Sequence, residues 1–269
     1  MPRSNPKSAP LVSLAIPINK TNAYYIDSLR SALNQTYSNI EIHFIDSSQF
    51  GIYVPKYIRS KVFHHRVSSS FGISDSLNYA IKVSIGKYFA RLDSDDLCLP
   101  SRIMEQVSFL EKNPTIGLIG SAVYAIRDKD TRLLPENVQL KPLTHHEILL
   151  MLLDKTSFYH PTVMIRTELF KKYPFAYRPK YDSAEDYDLW VRMSHNIEMA
   201  NLAKPLVALR MHEQQYSKQN KKQSDALALR IRNRHLFWMF LRRKINTGAF
   251  IHKLKGNIKA AKARIYRKD

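Results

Sequence analysis

The sequence predicts an α/β protein: a mostly parallel mixed sheet flanked by helices, followed by a basic helical extension. Short apolar runs alternate with helix-periodic segments from Leu11 to Ala125, the signature of βαβ units. Carboxylates stand where two of those runs end, at Asp46 and at Asp93, Asp95 and Asp96. Positive charge is concentrated at one end: residues 217–269 hold 16 Lys and Arg against 2 Asp, a net +14 of the chain's +19.

Each element has a local reason. Leu11 to Ile16 is an apolar run closed by Pro17, a strand buried on both faces. Tyr25, Ile26, Leu29 and Leu33 fall on one side of a helix spanning residues 24–33. Strands follow at 40–45 and 62–67, then a helix at 74–83 that Gly86 is expected to close. Tyr88 to Leu92 is the strand that delivers the acidic cluster, and Pro100 suits the first turn of a helix running to about Lys112. Another strand occupies 116–125. Beyond it the pattern loosens into a polar stretch at 128–142, a helix at 144–153, a short strand at 163–166, and an edge strand at 207–211. From Lys221 the chain reads as one or two basic helices.

Composition excludes several classes. At 269 residues, 44% hydrophobic and 24% charged, the chain can bury a full core and is not a disordered protein. A single cysteine, Cys98, excludes an internal disulfide framework and fits a reducing cytoplasm. Residues 1–10 lack an apolar signal-peptide core, and no apolar run reaches the roughly 18–20 residues of a membrane span. A soluble or peripheral protein is expected.

The acidic constellations carry the chemistry. Carboxylates as close as Asp93, Asp95 and Asp96 repel one another unless a cation neutralises them, and hard oxygen donors suit Mg²⁺ or Mn²⁺ bridging to a diphosphate. The competing reading is an acidic turn before the next helix. Asp46 could accept a hydrogen bond from a nucleobase or ribose, or close an ordinary Asx-turn with Ser47 and Ser48. Glu185 and Asp186 open a further helical stretch, where a carboxylate could take a proton from an attacking hydroxyl. His160 and His212 are weaker candidates, since a lone histidine is more often structural.

Six ordered blocks between Leu11 and Ser217 resemble the family 2 glycosyltransferases of bacteria: LVSLAIP at 11–17, NQTYSNIEI at 34–42, IGKYFARLDSDDLCLPSRIMEQVSFLEKNPTIGLIGS at 85–121, HPTVMIR at 160–166, AEDYDLWVRM at 184–193 and LRMHEQQYS at 209–217. The subgroup extending lipooligosaccharide and other surface glycans is the nearest in flavour, and Thr144-His145-His146-Glu147 is similar to a segment of hexosyl- and N-acetylhexosaminyltransferases. The resemblance implies a GT-A, Rossmann-like domain at 1–216 and inverting transfer of a sugar from a nucleotide diphosphate, usually UDP. It implies that Pro17 and Asp46 line the nucleoside pocket, that Gly72 and Asn78 belong to a segment closing over the donor, and that Asp93 and Asp95 form a D-x-D metal site. It makes Asp186 the catalytic base with Glu185 its neighbour, and lets His212 approach the metal or diphosphate. Three positions depart from the family pattern: Ile18-Asn19-Lys20 after Pro17, Ser47-Ser48 after Asp46, and Leu77 before Asn78. All three bear on which nucleotide and sugar are bound.

The extension at 217–269 combines an aromatic stretch, His235 to Leu241, with Arg242, Arg243, Lys244 and later basic residues. Such a pattern suits an anionic membrane surface; the competing reading packs the aromatics on the body and leaves the charges in water. No nucleic-acid fold motif accompanies it, so no nucleic acid is expected. The expected partners are a nucleotide-sugar donor, a glycan or lipid-linked acceptor, and the inner face of a bacterial membrane. Two other functions compete. A sugar-nucleotide nucleotidyltransferase needs a glycine-rich phosphate loop near the N-terminus, but the chain has 7 Gly and none before Gly51. A non-catalytic basic adaptor would work through the extension alone.

Overall fold

The computed structural model describes residues 9–127, 132–173, 176–212, 221–242 and 244–265. They form a nine-stranded mixed sheet with helices on both sides. β1 (Val12–Ile18) is buried along its whole length, between β2 (Ile40–Asp46) and β4 (Tyr88–Arg91), both parallel to it. A strand covered on both faces needs side chains that leave water in either direction, hence the unbroken apolar run. β3 (Phe63–Arg66) pairs with β2 at one edge. Beyond β4 the order continues β8 (Met164–Arg166), β6 (Ile116–Arg127), β9 (Glu198–Met211) and β5 (Leu97–Cys98), with β7 (Val138–Gln139) against β6. β8 is antiparallel to β4 and β6, whereas β6 and β9 run parallel.

The helices are α1 (Tyr25–Leu33), α2 (Lys56–Arg59), α3 (Ile73–Val83), α4 (Arg102–Lys112), α5 (His145–Met151), α6 (Glu168–Lys172), α7 (Glu185–Ser194), α8 (Lys221–Leu241) and α9 (Thr247–Ile265). Leu29 of α1 and Ile103 and Val107 of α4 pack with Leu14, Ile16 and Phe44. Leu77 of α3, Leu189 and Trp190 of α7 and Ile231 of α8 pack with Leu118, Ile165 and Met199.

Three local expectations are corrected. Pro17 does not end the first strand: in β1 it pairs with Ile45, and the strand runs on to Ile18. Residues 207–211 are not an edge strand but the end of the 14-residue β9, which lies between β6 and β5. Gly86 is not the helix stop. α3 ends at Val83, and a Cβ on Gly86 would come within 2.7 Å of the Ser13 backbone nitrogen, so the glycine permits close packing on β1. Thr144 to Glu147 is a capping box opening α5, in which Thr144 and Glu147 satisfy each other's backbone N–H.

The basic extension packs on the body. Leu236 and Met239 of α8 are buried against Leu149 and Leu153, and Trp238 stacks on His195 with ring centroids 3.9 Å apart. Phe237 and Leu241 stay 49% and 75% exposed, so only part of the aromatic stretch is covered. The expected boundary at 216/217 lies outside the described residues. No described helix is long and apolar enough to cross a membrane.

Candidate active site

A cleft of about 570 Å³ opens at the carboxyl edge of β1 and β4, where open α/β sheets bind ligands. The end of β4 and the loop after it supply Arg91, Asp93, Ser94, Asp95 and Asp96; the start of α7 supplies Glu185 and Asp186. Pro17, Gly72, His160, Ser183 and His212 complete the part of the wall used below. The structure thus brings together Pro17, Gly72, Asp93, Asp95, Glu185, Asp186 and His212 from distant parts of the sequence.

It does not bring Asp46 or Asn78 to the cleft. Asp46 is fully buried, and its carboxylate accepts hydrogen bonds from the Ser48 N–H and hydroxyl, the Ile52 N–H and Arg66. Burial would raise this acid, but those donors outweigh it and bring it down to about 2. Asp46 therefore closes the turn after β2, the Asx-turn alternative, and Ser47 rather than Asp46 reaches the cleft. Asn78 donates to the Tyr177 carbonyl at 2.9 Å and accepts from the Tyr177 N–H at 2.8 Å. It fixes the segment beneath His160 instead of facing a ligand.

Gly72 matters for proximity, not for backbone freedom. A Cβ there would lie 2.0 Å from Oδ2 of Asp182, whose carboxylate accepts from the Ser74 hydroxyl and N–H. Replacing Gly72 by Ala should push the Asp182 carboxylate aside and break its hydrogen bonds to Ser74, at a cost of about 0.5–1.5 kcal/mol. A guanidinium chloride midpoint equal to that of the wild type would overturn this reading.

Asp93, Asp95 and Asp96 each offer an oxygen, and these atoms all lie within 4.8 Å of one another. Asp96 is buried; one of its oxygens accepts from the Arg210 N–H at 2.8 Å, while Oδ2 has no hydrogen-bond partner among the described residues. Burial, reinforced by the neighbouring charges of Asp95 and Asp93, pushes Asp96 well above the usual carboxylate range. His212 is hydrogen-bonded through Nε2 to Asp95 Oδ2 at 2.8 Å. A hard divalent cation fits this donor set: three clustered carboxylates, one with an orphaned buried oxygen.

Across the cleft, burial raises both Glu185 and Asp186, and the charge of Glu185 raises Asp186 further. Asp186 accepts from the Tyr187 N–H at 2.6 Å and the Thr156 hydroxyl at 3.4 Å. Just before α7, Ser183 holds φ at +86°, a left-handed conformation that costs a non-glycine residue roughly 1–3 kcal/mol. His160 is buried, bonded to the Tyr177 hydroxyl at 2.9 Å, and 3.6 Å from Glu185. Burial, then the charge of Arg91, lowers it to about 3, so it is a neutral wall residue at physiological pH.

Sequence reading missed Arg91. It is buried, ion-paired to Asp93, and its Nε and Nη1 lack hydrogen-bond partners among the described residues. Its field reaches Glu185 and Asp186 as well. An arginine closing a buried strand just before clustered acids was the available signal. Arg102, also fully buried, donates to the Arg91 carbonyl at 2.7 Å and braces the loop from behind.

Residues 13–174 match Glycosyl transferase family 2. The chain belongs to that family. It is 29% identical over 219 residues to the O-antigen biosynthesis glycosyltransferase WbnJ of Escherichia coli, covering 77% of this chain and 82% of that protein. It is 28% identical over 240 residues to a glycosyltransferase of Haemophilus influenzae, covering 86% and 74%. Among solved structures, S. aureus TarS in complex with UDP-GlcNAc superposes with a TM-score of 0.64 at 17% identity, over 84% of this chain and 66% of that one. A mannosyltransferase of Pyrobaculum calidifontis, in complex with GDP-Man and Mn²⁺, gives 0.57 at 14% identity, over 88% and 66%. The fold is GT-A and the protein is a glycosyltransferase, so the nucleotidyltransferase and adaptor alternatives fall away.

Proposed function

We propose that this family 2 glycosyltransferase transfers a sugar from a nucleotide diphosphate, UDP in the first instance, to a hydroxyl of a lipid-linked or surface glycan, with inversion. The observation that carries the reading is the cleft itself, lined by both the Asp93–Asp95–Asp96 cluster and the Glu185–Asp186 pair. Relatives that build O-antigen and structural neighbours bound to UDP-GlcNAc or GDP-Man support it.

Asp93, Asp95 and Asp96 would hold Mg²⁺ or Mn²⁺, with His212 steadying Asp95. When bound, such an ion supplies Lewis-acid stabilisation of charge on a leaving diphosphate. Asp186 accepts the proton of the acceptor hydroxyl as the new C–O bond forms and the bond to the diphosphate breaks. Approach from the face opposite the leaving group inverts the anomeric carbon with no covalent enzyme intermediate. Glu185 and Arg91 set the field around Asp186, and Pro17 and Ser47 border the nucleoside end. Asp46 and Asn78 act behind the wall by fixing the turn after β2 and the Tyr177 segment.

A thermal-shift screen of nucleotide sugars with and without Mn²⁺ tests the reading, since a ligand binding only the folded state raises Tm. UDP-sugars should raise Tm only in the presence of the metal, and Asp95→Asn should abolish the metal-dependent part. A metal-independent shift, or one unchanged in Asp95→Asn, would end the metal assignment.

The extension supplies the acceptor's setting. Exposed Phe237, Leu241 and Ile251 lie in a segment rich in Arg and Lys, a combination suited to an anionic bilayer on the inner face of the membrane. Binding to vesicles containing phosphatidylglycerol should weaken as salt rises and vanish with neutral lipid. Equal binding to both vesicle types would exclude this role.

A further inference from the structure

Asp186 has a second neighbourhood, outside the cleft wall already described. The Thr156 hydroxyl donates to its Oδ2 at 3.4 Å, and the Thr156 carbonyl accepts from Lys141 Nζ at 3.0 Å. The same ammonium sits over the Tyr159 ring, 4.7 Å from its centroid. The Tyr159 hydroxyl is tied to Gln139 at 3.2 Å, which fixes the ring as a platform. Lys155, adjacent to Thr156, is exposed and near enough for its charge to act on Lys141. Thr156 thus touches Asp186 through its hydroxyl and holds the Lys141 ammonium through its carbonyl, with Lys155 next to it in the chain.

The charge balance here is unusual. Burying an ammonium group is costly unless it is paired and hydrogen-bonded. Lys141 is half-buried, yet no described carboxylate lies within ion-pair distance, and a single described carbonyl takes one of its three possible donors. Burial, then the charge of Lys155, lowers its pKa, and Asp186 only partly opposes this. A second like charge beside an underpaired cation is unfavourable in the free protein. It becomes favourable when an anion arrives.

We propose that Lys141 and Lys155, with the Tyr159 ring beneath, form a subsite for an anionic oxygen, phosphate or carboxylate, on the acceptor beside the hydroxyl that Asp186 deprotonates. The proposal rests on the glycosyl-transfer reading above and deepens it: the acceptor is an acidic glycan. Its charge is taken up by the two lysines, and the Tyr159 ring holds the Lys141 ammonium in place.

The test compares kcat/KM for three synthetic acceptors on the full chain: a neutral hexoside, its 6-phosphate and the matching hexuronide. The wild type should prefer at least one acidic acceptor over the neutral one by 10-fold or more, and the preference should shrink as salt rises. A preference for phosphate alone or for carboxylate alone identifies the source of the anion. Lys141→Met should bring the acidic-to-neutral ratio near unity, and Lys141→Arg should retain most of it; the ratio cancels any uniform loss of activity. Lys155→Met, at an exposed position, should reduce the ratio partially without risk to folding. No acidic preference in the wild type, or an unchanged ratio in Lys141→Met and Lys155→Met, would overturn the proposal. Transfer in Mn²⁺ separates the two levels: failure to release the nucleotide with any of the three acceptors counts against glycosyl transfer itself, whereas transfer without an acidic preference counts only against this subsite.

Discussion

Asp186→Asn should lower sugar transfer by about 100- to 10,000-fold, the range for losing a positioned general base, while raising the melting temperature at neutral pH. The two effects have one cause. Burial, then the adjacent Glu185, lifts the Asp186 carboxyl above its ordinary value. An acid whose folded-state pKa exceeds its unfolded value stabilises the fold below the unfolded value, near 4, and that contribution is lost as pH rises through the folded one. At neutral pH the ionised group is therefore a burden on stability. Asparagine removes the charge, can still accept the Tyr187 N–H, and can reach the Thr156 hydroxyl. Activity runs the other way, because the base must be ionised to accept a proton. The acid limb of the rate profile should lie above the ordinary carboxylate range and belong jointly to Glu185 and Asp186. Turnover within threefold of wild type would remove Asp186 from the role of base, and a fall in Tm would overturn the argument from its buried charge.

Much of this arrangement was legible in the sequence because parallel strands buried on both faces leave a strong trace. The runs at 11–16, 40–45 and 88–92 became β1, β2 and β4, and the acids at the end of β4 and the start of α7 do share a cleft. What was not legible depends on contacts made across the fold. The Asx-turn with Ser48 was one of two readings of Asp46, but nothing in the sequence shows that Ile52 and Arg66 also donate to it and so take it away from a ligand. Asn78 misled for the same reason, since its partner Tyr177 is 99 residues away. β9 was read as an edge because its second half alone looks like a short strand, and only its pairing with both β6 and β5 places it inside. The extension posed a balance, not a pattern. Its aromatics both pack and protrude, because α8 presents Leu236 and Met239 inward and Phe237 and Leu241 outward.

Asp188→Ala should destabilise the protein by about 3 kcal/mol, the lower end of the range for breaking a buried ion pair. Asp188 is fully buried two residues beyond Asp186, and its carboxylate meets Arg192 at 2.8 Å, Arg234 at 2.7 Å and Arg178 at 3.9 Å. These arginines come from three places: α7 itself, α8 of the extension, and the segment leading to Asp182 and Ser183. Removing the acid leaves like charges facing one another with no anion between them. The Arg178 and Arg234 side chains are partly exposed and can turn to water, which moderates the loss, whereas Arg192 cannot do so readily. Arg178→Ala should therefore cost under about 1 kcal/mol and serves as the control. Loss of this anchor also frees α8 from α7, so Trp238 should leave its stack on His195 and its fluorescence should change below the main unfolding transition. A denaturant midpoint within 0.5 kcal/mol of wild type, with a single coincident transition, would mean that the extension is held by its apolar contacts alone. The opposite result would make the C-terminal helices part of what fixes α7, and with it Asp186, against the cleft.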